Sequence, residues 1–463
     1  MVSIEMTDKR SAVHYGMVSL AAARRISRRG PALHSFSFDV ITDAEVVQMP
    51  GIRKKSPIQT SWTEQKVSAS EGFPRAWLGS AVAISGDVAL VGAKNMTVDG
   101  RVGQGVVYVY NKIGGAWKEV QRLTASDGAE RDQFGFWIAL DGDRAMITAP
   151  FAAIDGKVWQ GAAYFFSKSG GRWVESQKIT GSRLRNLDTF GTVVCLSSSR
   201  ALVSLGGFTR GGITVPYRVI AFDLVHGRSR DYWVERNTLN APDPDDVTSA
   251  FGSSIAINKD VALIGARTAT IDGKPGQGAV YVYARRSSGE WVSTTRLTAA
   301  EGAPRENFGT SIAWNGVEAL VGAQGSVING NVSQGAVYRF SFERGRWDET
   351  QKFYAAEGTS ISLFGASVSL AKKRLIVGAY ATSSYTGAAY LFVFRQGLWQ
   401  EVKTLKASDG KAGDLFGYYA ALSEKDALVG AFAATVDGNF EQGAAYFFAL
   451  PSVDAESGLV SDA

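Results

Sequence analysis

The side chains that most often perform catalysis are scarce in this sequence. It contains three histidines, His14, His34 and His226, and a single cysteine, Cys195. Two of the histidines lie within the first 60 residues, and neither a His-x-x-x-His pair nor a Gly-x-Ser-x-Gly nucleophile elbow occurs. The sequence therefore disfavours zinc-dependent and triad-type hydrolysis, and the lone cysteine cannot form an internal disulfide.

Five short polar turns provide the most regular arrangement of potential ligands. They are Asp99-Gly100, Asp155-Gly156, Asp272-Gly273, Asn329-Gly330 and Asp437-Gly438. Asp or Asn followed by Gly is typical of a tight two-residue hairpin, because these residue types tolerate positive φ. A ring of such carboxylates also suits a cation or a sugar hydroxyl, but no other ligand residue recurs beside them. The pattern therefore favours turns over a binding ring.

An aromatic residue or leucine followed by glycine marks the elements that position these turns. Seven such pairs recur at regular intervals, with separations of 56, 56, 61, 57, 56 and 52 residues. This regularity indicates a structural repeat. The pairs are Leu78-Gly79, Phe134-Gly135, Phe190-Gly191, Phe251-Gly252, Phe308-Gly309, Phe364-Gly365 and Phe416-Gly417.

Each copy contains four short runs that have the pattern of β-strands. In the copy that begins at Phe308 these runs are 308–314, 319–323, 334–340 and 347–353, separated by glycine-containing turns. Four antiparallel strands form one propeller blade, so the sequence predicts an all-β, seven-bladed β-propeller. The seventh copy lacks its fourth strand, whereas residues 62–67, upstream of the first copy, resemble one. We therefore predict that the N-terminal strand closes the last blade.

The Phe-Gly and Gln-Gly-Ala pairs at constant spacing, over residues 61–450, resemble the FG-GAP repeat of integrin α-subunit propellers and of bacterial surface proteins. The resemblance implies a non-enzymatic scaffold that binds a protein or cell-surface ligand, as in adhesion, and a location outside the cytoplasm. In integrin members a calcium loop often joins the first two strands. Here the corresponding turns, such as Ser85-Gly86-Asp87, are too short, so we predict neither metal nor cofactor.

Strand parity predicts where a ligand would bind. The loops from second to third strand and from fourth strand to the next blade must emerge on one face of the ring, and they are rich in mixed charge. We expect this face to bind a protein or glycan ligand. The candidate residues are Asp127, Arg131, Asp155, Trp159, Asp272, Lys274, Arg305, Asn329 and Asp437.

Two other functions remain as alternatives. A carbohydrate-binding lectin would use the outer-strand tryptophans as stacking platforms, although packing between blades explains them better. An enzyme with a site in the central channel would need acidic or basic side chains there, yet the inner strands contain only hydroxyl and aliphatic side chains, as in 80–84, 254–257 and 367–370. The tryptophans are Trp62, Trp117, Trp173, Trp291, Trp347 and Trp399.

The third copy departs from the pattern. It contains Cys195 and His226, has Val215-Pro216-Tyr217 in place of Gln-Gly-Ala, and continues into an acidic loop at 241–246. We attribute these changes to sequence drift in a blade under little constraint. A specialised functional blade, or a cation site in the acidic loop, explains them less well.

Charge and composition set the domain boundaries. The net charge is +5, and residues 1–60, with nine basic and five acidic residues, carry most of it. We interpret residues 1–60 as a basic arm or leader, residues 61–451 as the propeller and residues 452–463 as an acidic tail. The propeller itself is nearly neutral, which argues against a nucleic-acid partner.

No apolar run is long enough to span a membrane. The apolar segment 15–23 weakly resembles a secretion signal, but Arg24 and Arg25 follow it directly, which is unusual for such a signal.

Overall fold

The protein is described here by a computed structural model, which covers residues 62–182, 184–206, 209–210, 213–214, 217–242 and 249–451. The arm predicted for residues 1–60 and the tail predicted for residues 452–463 lie outside the described residues. So do Val215, Pro216 and the acidic residues 243–246 of the third copy.

Apart from one four-residue helix, the regular elements of the described chain are all short β-strands. The first half contains β1 (Thr63–Val67); β2 (Leu78–Ser85), β3 (Val88–Ala93), β4 (Val106–Ile113) and β5 (Ala116–Leu123); β6 (Ile138–Asp141), β7 (Arg144–Ala149), β8 (Ala162–Ser169) and β9 (Arg172–Ile179); and β10 (Val194–Ser197), β11 (Arg200–Leu205), β12 (Thr209–Arg210), β13 (Ile213–Thr214), β14 (Arg218–His226) and β15 (Asp231–Asn240). The second half contains β16 (Phe251–Asn258), β17 (Val261–Ala266), β18 (Ala279–Arg285) and β19 (Trp291–Leu297); β20 (Phe308–Trp314), β21 (Glu318–Ala323), β22 (Ala336–Glu343) and β23 (Arg346–Phe353); β24 (Ser367–Ala371), β25 (Arg374–Ala379), α1 (Thr382–Tyr385), β26 (Ala388–Arg395) and β27 (Leu398–Leu405); and β28 (Ala420–Leu422), β29 (Asp426–Ala431) and β30 (Ala444–Ala449).

These strands form seven four-stranded antiparallel sheets, the blades of a β-propeller. Blades 1 to 6 are β2–β5, β6–β9, β10-β11-β14-β15, β16–β19, β20–β23 and β24–β27, and blade 7 is β28-β29-β30-β1. The small hairpin β12–β13 is inserted in blade 3 between its second and third strands. The predicted fold class and blade number are confirmed, including the blade made by the divergent third copy.

The N-terminal strand completes blade 7, as predicted. Strand β1 pairs antiparallel with β30 from Thr63 opposite Ala449 to Val67 opposite Ala445. This pairing covers the edge that β30 would otherwise expose and joins the beginning of the ring to its end.

The hydrophobic core lies between blades rather than within any one of them. It is divided into seven clusters, and each cluster combines buried side chains of two neighbouring blades. The cluster between blades 7 and 1 contains Val67, Leu428 and Phe447 together with Leu78 and Tyr108. Because a four-stranded sheet has two apolar faces, only closure into a ring buries both faces of every blade.

The two sequence motifs of the repeat contact each other across these interfaces. The glycine of Gln-Gly-Ala in one blade forms a parallel bridge to the Phe-Gly start of the next, as Gly278 does with Phe308 and Gly335 with Phe364. Gly387, which follows Thr386 in blade 6, forms the same bridge to Phe416. The phenylalanines of the motif are fully buried; Phe364, for example, packs edge-on against Tyr390 at 5.4 Å between ring centroids. The repeat is therefore a pattern of contacts between blades.

The outer-strand tryptophans pack between blades and form no exposed ladder. Trp117, Trp173, Trp291 and Trp399 are buried, whereas Trp62 and Trp347 are half-buried. Trp117 stacks on Phe447 of the preceding blade with ring centroids 4.4 Å apart. This arrangement removes the main sequence argument for a lectin.

Candidate functional site

Both long connections of each blade lie on one face of the ring, which we call the long-loop face. It consists of the loops between second and third strands and the loops from each fourth strand to the next blade. Backbone hydrogen bonds join the two kinds of loop: the Arg131 amide donates to the Val102 carbonyl oxygen at 2.9 Å. The same contact closes the ring, where the Arg75 amide donates to the Phe440 carbonyl oxygen at 2.8 Å. Among the described residues, backbone hydrogen bonds thus connect neighbouring loops of this face.

The Asp-Gly and Asn-Gly pairs form tight turns on this face. Asp99 and Gly100 have φ of +48° and +80°, and the flanking Val98 and Arg101 exchange two backbone hydrogen bonds. The other four pairs have φ of 49–50° at the first residue and 77–85° at the glycine. The recurrence of these carboxylates is explained by the turn that they form. Among the described residues, no group of three His, Cys, Asp or Glu side chains is placed to hold a metal ion.

The nine predicted ligand-binding residues all lie on the long-loop face but do not form one site. They are distributed over several loops around the ring. None of them lines the central channel or its mouth. Eight are exposed, whereas Trp159 is half-buried. Their binding role stays a prediction.

Several of these side chains already have partners. Asp127 accepts a hydrogen bond from the Tyr164 hydroxyl at 2.9 Å and forms an ion pair with Lys178 at 2.5 Å. Partial burial alone would raise the pKa of Asp127, but the bonds from Lys178 and Tyr164 hold it below its ordinary value. The Lys274 ammonium donates to the Gly302 carbonyl oxygen at 2.8 Å. Arg131 also forms an ion pair, with Glu130 at 3.4 Å. These contacts stabilise the loops.

Aromatic side chains surround the mouth of the central channel on the long-loop face, and sequence reasoning missed them. The mouth is a cavity of about 420 Å³. Phe136 and Trp137 of blade 2 face Tyr418 and Tyr419 of blade 7, with Trp137 and Tyr419 edge to face at 5.5 Å. The expectation that inner strands contain only hydroxyl and aliphatic side chains is therefore wrong for these two blades. The sequence does contain a signal for these aromatic residues. The second and seventh copies have bulky residues directly after Phe-Gly, where the other copies have small ones.

The channel beyond the mouth is narrow and its hydroxyl groups are engaged. Its cavity volume is about 150 Å³. The Ser254 and Ser311 hydroxyls donate to the carbonyl oxygens of Gly309 and Gly365 in the next blade, at 2.7 and 2.8 Å. These serines thus fasten neighbouring inner strands to each other.

One basic side chain, Arg267, lines the mouth, and a second, Lys94, contacts the ring of Phe136. The Lys94 ammonium lies 4.5 Å from the ring centroid of Phe136 and 5.6 Å from that of Trp77. Arg267, which follows the second strand of blade 4, is exposed and lines the mouth beside Tyr380. In the part of the chain that the structure describes, neither residue forms an ion pair. The mouth is therefore an aromatic surface with unneutralised positive charge.

Lys94 is expected to make the stability of the protein depend on pH. Burial lowers the pKa of Lys94 from 10.5 to about 8, so between these values the unfolded chain binds a proton that the folded protein does not. Stability should therefore rise as the pH increases from 8 to 10.5. We expect Lys94→Met to be more stable than the parent chain by up to roughly 3 kcal/mol at pH 7, with no such gain at pH 10.5. Denaturant unfolding at both pH values measures this, and a difference independent of pH would contradict it.

Exposed apolar side chains are concentrated in the long loops. Nine of the sixteen exposed large apolar side chains among the described residues lie there. Phe440 is 54% exposed, Ile361 53% and Val332 59%, although each is large enough to be buried in a core. The nine are Phe73, Val102, Val158, Val327, Val332, Tyr354, Ile361, Tyr385 and Phe440.

The divergent blade 3 contains no cluster of reactive groups among its described residues. Burial raises the pKa of the Cys195 thiol, which opposes formation of the thiolate that a nucleophile needs. His226 is exposed, and its Nδ1 lies 2.9 Å from a carboxylate oxygen of Asp231 within the same hairpin.

A family model described as FG-GAP repeat matches the chain six times. The matched residues are 62–110, 117–166, 233–283, 291–340, 347–392 and 399–448. Each match begins on an outer strand and continues through the inner strands of the next blade, so its unit spans an interface between blades. The matches leave out residues 167–232, which hold most of blade 3. No curated protein matches the sequence. No helix among the described residues is long and apolar enough to cross a membrane.

Proposed function

We propose, on the premise that this chain belongs to the FG-GAP repeat family, that it is a non-catalytic scaffold that binds a protein partner with its long-loop face. The observation that carries this proposal is the set of exposed apolar side chains in the long loops. Large apolar groups held in water by rigid turns are typical of surfaces that another protein covers.

The rigidity of the long loops supports the same function. Where the structure describes both loops, each long loop hydrogen-bonds to its neighbour through the backbone, and the hairpin turns at the loop tips have a defined backbone conformation. A preformed surface of this kind loses little conformational entropy when a partner binds. The charged residues predicted from the sequence lie in the same set of loops as the exposed apolar side chains, a mixture that suits a protein interface.

Two matched triple variants test the proposal. The first is Val332→Ser, Ile361→Ser and Phe440→Ser on the long-loop face. The second is Ile113→Ser, Val317→Ser and Leu398→Ser on the opposite rim, where the three side chains are 48%, 63% and 47% exposed. A partner is selected from a displayed protein library against the whole chain, and its affinity for both variants is measured by calorimetry.

We expect the long-loop variant to weaken binding by at least about tenfold and the opposite-rim variant to leave it within about twofold, because the removed apolar contacts lie at the interface only in the first case. Equal thermal unfolding of both variants controls for folding. The reverse pattern would refute the proposal. A glycan array that gives binding dependent on the long-loop residues would favour the lectin alternative instead.

A further inference from the structure

The mouth of the central channel lies at the centre of the long-loop face and differs in chemistry from the loops around it. Its wall combines aromatic rings from blade 2, Phe136 and Trp137, with rings from blades 6 and 7, Tyr380 and Tyr418. Tyr380 and Tyr418 pack against each other with ring centroids 4.6 Å apart. With a volume of about 420 Å³, the cavity is large enough to admit one or two side chains of another protein.

The described residues that line this mouth include one basic side chain, Arg267, and no acidic one. Most basic side chains near the ends of the strands are paired, as Arg218 is with Asp188 at 3.4 Å and Arg339 with Glu318 at 2.6 Å. Arg267 is exposed beside Tyr380 and Tyr419. All three side chains line the same cavity. Burial raises the pKa of both tyrosines, and the positive charge of Arg267 acts in the opposite direction.

Lys94 lies near the mouth but is not part of its lining. Its ammonium contacts the Phe136 and Trp77 rings and no carboxylate among the described residues. An incoming anion would therefore meet the Arg267 guanidinium in a partly dehydrated aromatic surrounding, where charge-assisted hydrogen bonds are stronger than in water.

We propose that the channel mouth binds an acidic side chain, Asp or Glu, that a protein partner inserts at the axis of the propeller. The proposal rests on the proposed function, because it names the partner chemistry at the centre of the same face. The carboxylate pairs with Arg267, and the methylene groups and neighbouring apolar residues of the inserted segment contact Trp137, Tyr380 and Tyr418. A protein fits better than an acidic sugar, because only a protein also covers the exposed apolar residues of the surrounding loops.

A peptide library displayed on phage and selected against the whole chain tests this proposal. We expect the selected peptides to share an Asp or Glu next to an apolar residue. Replacing that acidic residue by its amide, and replacing Arg267 by Gln in the propeller, should each weaken binding by at least about tenfold. The two changes together should weaken it little more than either alone, since they remove the same ion pair. Arg172→Gln, an exposed arginine at the start of β9 on the opposite rim, is the matched control and should leave affinity within about twofold.

Every other outcome overturns the inference. Selected peptides without a shared acidic residue, no selected peptide at all, or additive effects of the two changes would each show that the mouth does not hold a carboxylate of a partner. Binding of an acidic oligosaccharide that requires Arg267, in the absence of peptide binding, would assign the mouth to a sugar. Loss of partner binding in the Val332, Ile361 and Phe440 variant with full binding in Arg267→Gln would leave the proposed function intact and refute this inference alone.

Discussion

A chain that begins at Ser68 is expected to be less stable than a chain that begins at Trp62 by about 5 kcal/mol or more. The shorter chain lacks β1, so β30 loses its outer neighbour along the register from Thr63 to Val67. Backbone hydrogen bonds of this ladder contribute about 1 kcal/mol each, and burial of Val67 contributes about 2 kcal/mol. Blade 7 would also present an unpaired edge to other molecules.

Side chains of β1 add to this effect because they connect blade 7 to its neighbours. The Gln65 amide donates to the Trp117 carbonyl oxygen at 2.6 Å and accepts from the Trp117 amide at 2.8 Å, which ties β1 to blade 1. Lys66 forms an ion pair with Asp409, in the loop that leaves blade 6, at 2.5 Å. Deleting the strand therefore weakens both interfaces of blade 7.

The two chains are compared by urea unfolding with near-ultraviolet circular dichroism and by size-exclusion chromatography. A rearranged chain provides the control: it begins at Ser68 and carries residues 62–67 after Pro451, joined by a short turn. Because Thr63 lies opposite Ala449, the moved segment can form a hairpin with β30 and occupy the position of β1. We expect it to recover most of the lost stability. Equal unfolding midpoints for the chains that begin at Trp62 and Ser68 would show that ring closure does not depend on β1.

The second large effect is expected from Gly387→Ala, which should destabilise the protein by about 4 kcal/mol or more. Gly387 has a φ of +90°, and a methyl group added there would overlap the carbonyl oxygen and amide nitrogen of Phe416 in the next blade. These are backbone atoms that hold the bridge between blades 6 and 7, so they cannot move aside without opening the interface. The cost adds the strain of a positive φ to the loss of packing around Phe416.

Gly397→Ala separates these two contributions. Gly397 lies in the turn before β27 of the same blade, has a φ of +84°, and has open space where the methyl group would be. We expect it to cost only about 1 kcal/mol, the penalty for positive φ alone. Thermal unfolding of both variants measures the difference, and similar losses for the two would mean that the contact between blades contributes nothing.

The candidate site was only partly predictable from the sequence. The long-loop face follows from strand parity, and the Asp-Gly turns follow from local turn chemistry, so their placement needed no tertiary information. The aromatic channel mouth was not predicted, because the regular copies have small residues directly after Phe-Gly and do not represent every blade. Phe136, Trp137, Tyr418 and Tyr419 depart from those copies, and a position-by-position comparison of all seven would have identified them.

Residue pattern alone determined the fold of this protein. The constant spacing of Phe-Gly, the four strand-like runs per copy and the spare strand at residues 62–67 specify seven blades and their closure, because each depends on local backbone preferences and on counting. The tertiary structure decided which side chains meet at the axis. Trp137, Arg267 and Tyr419 belong to three different blades, and they come together only because the closed ring brings the inner strands of all blades around one channel.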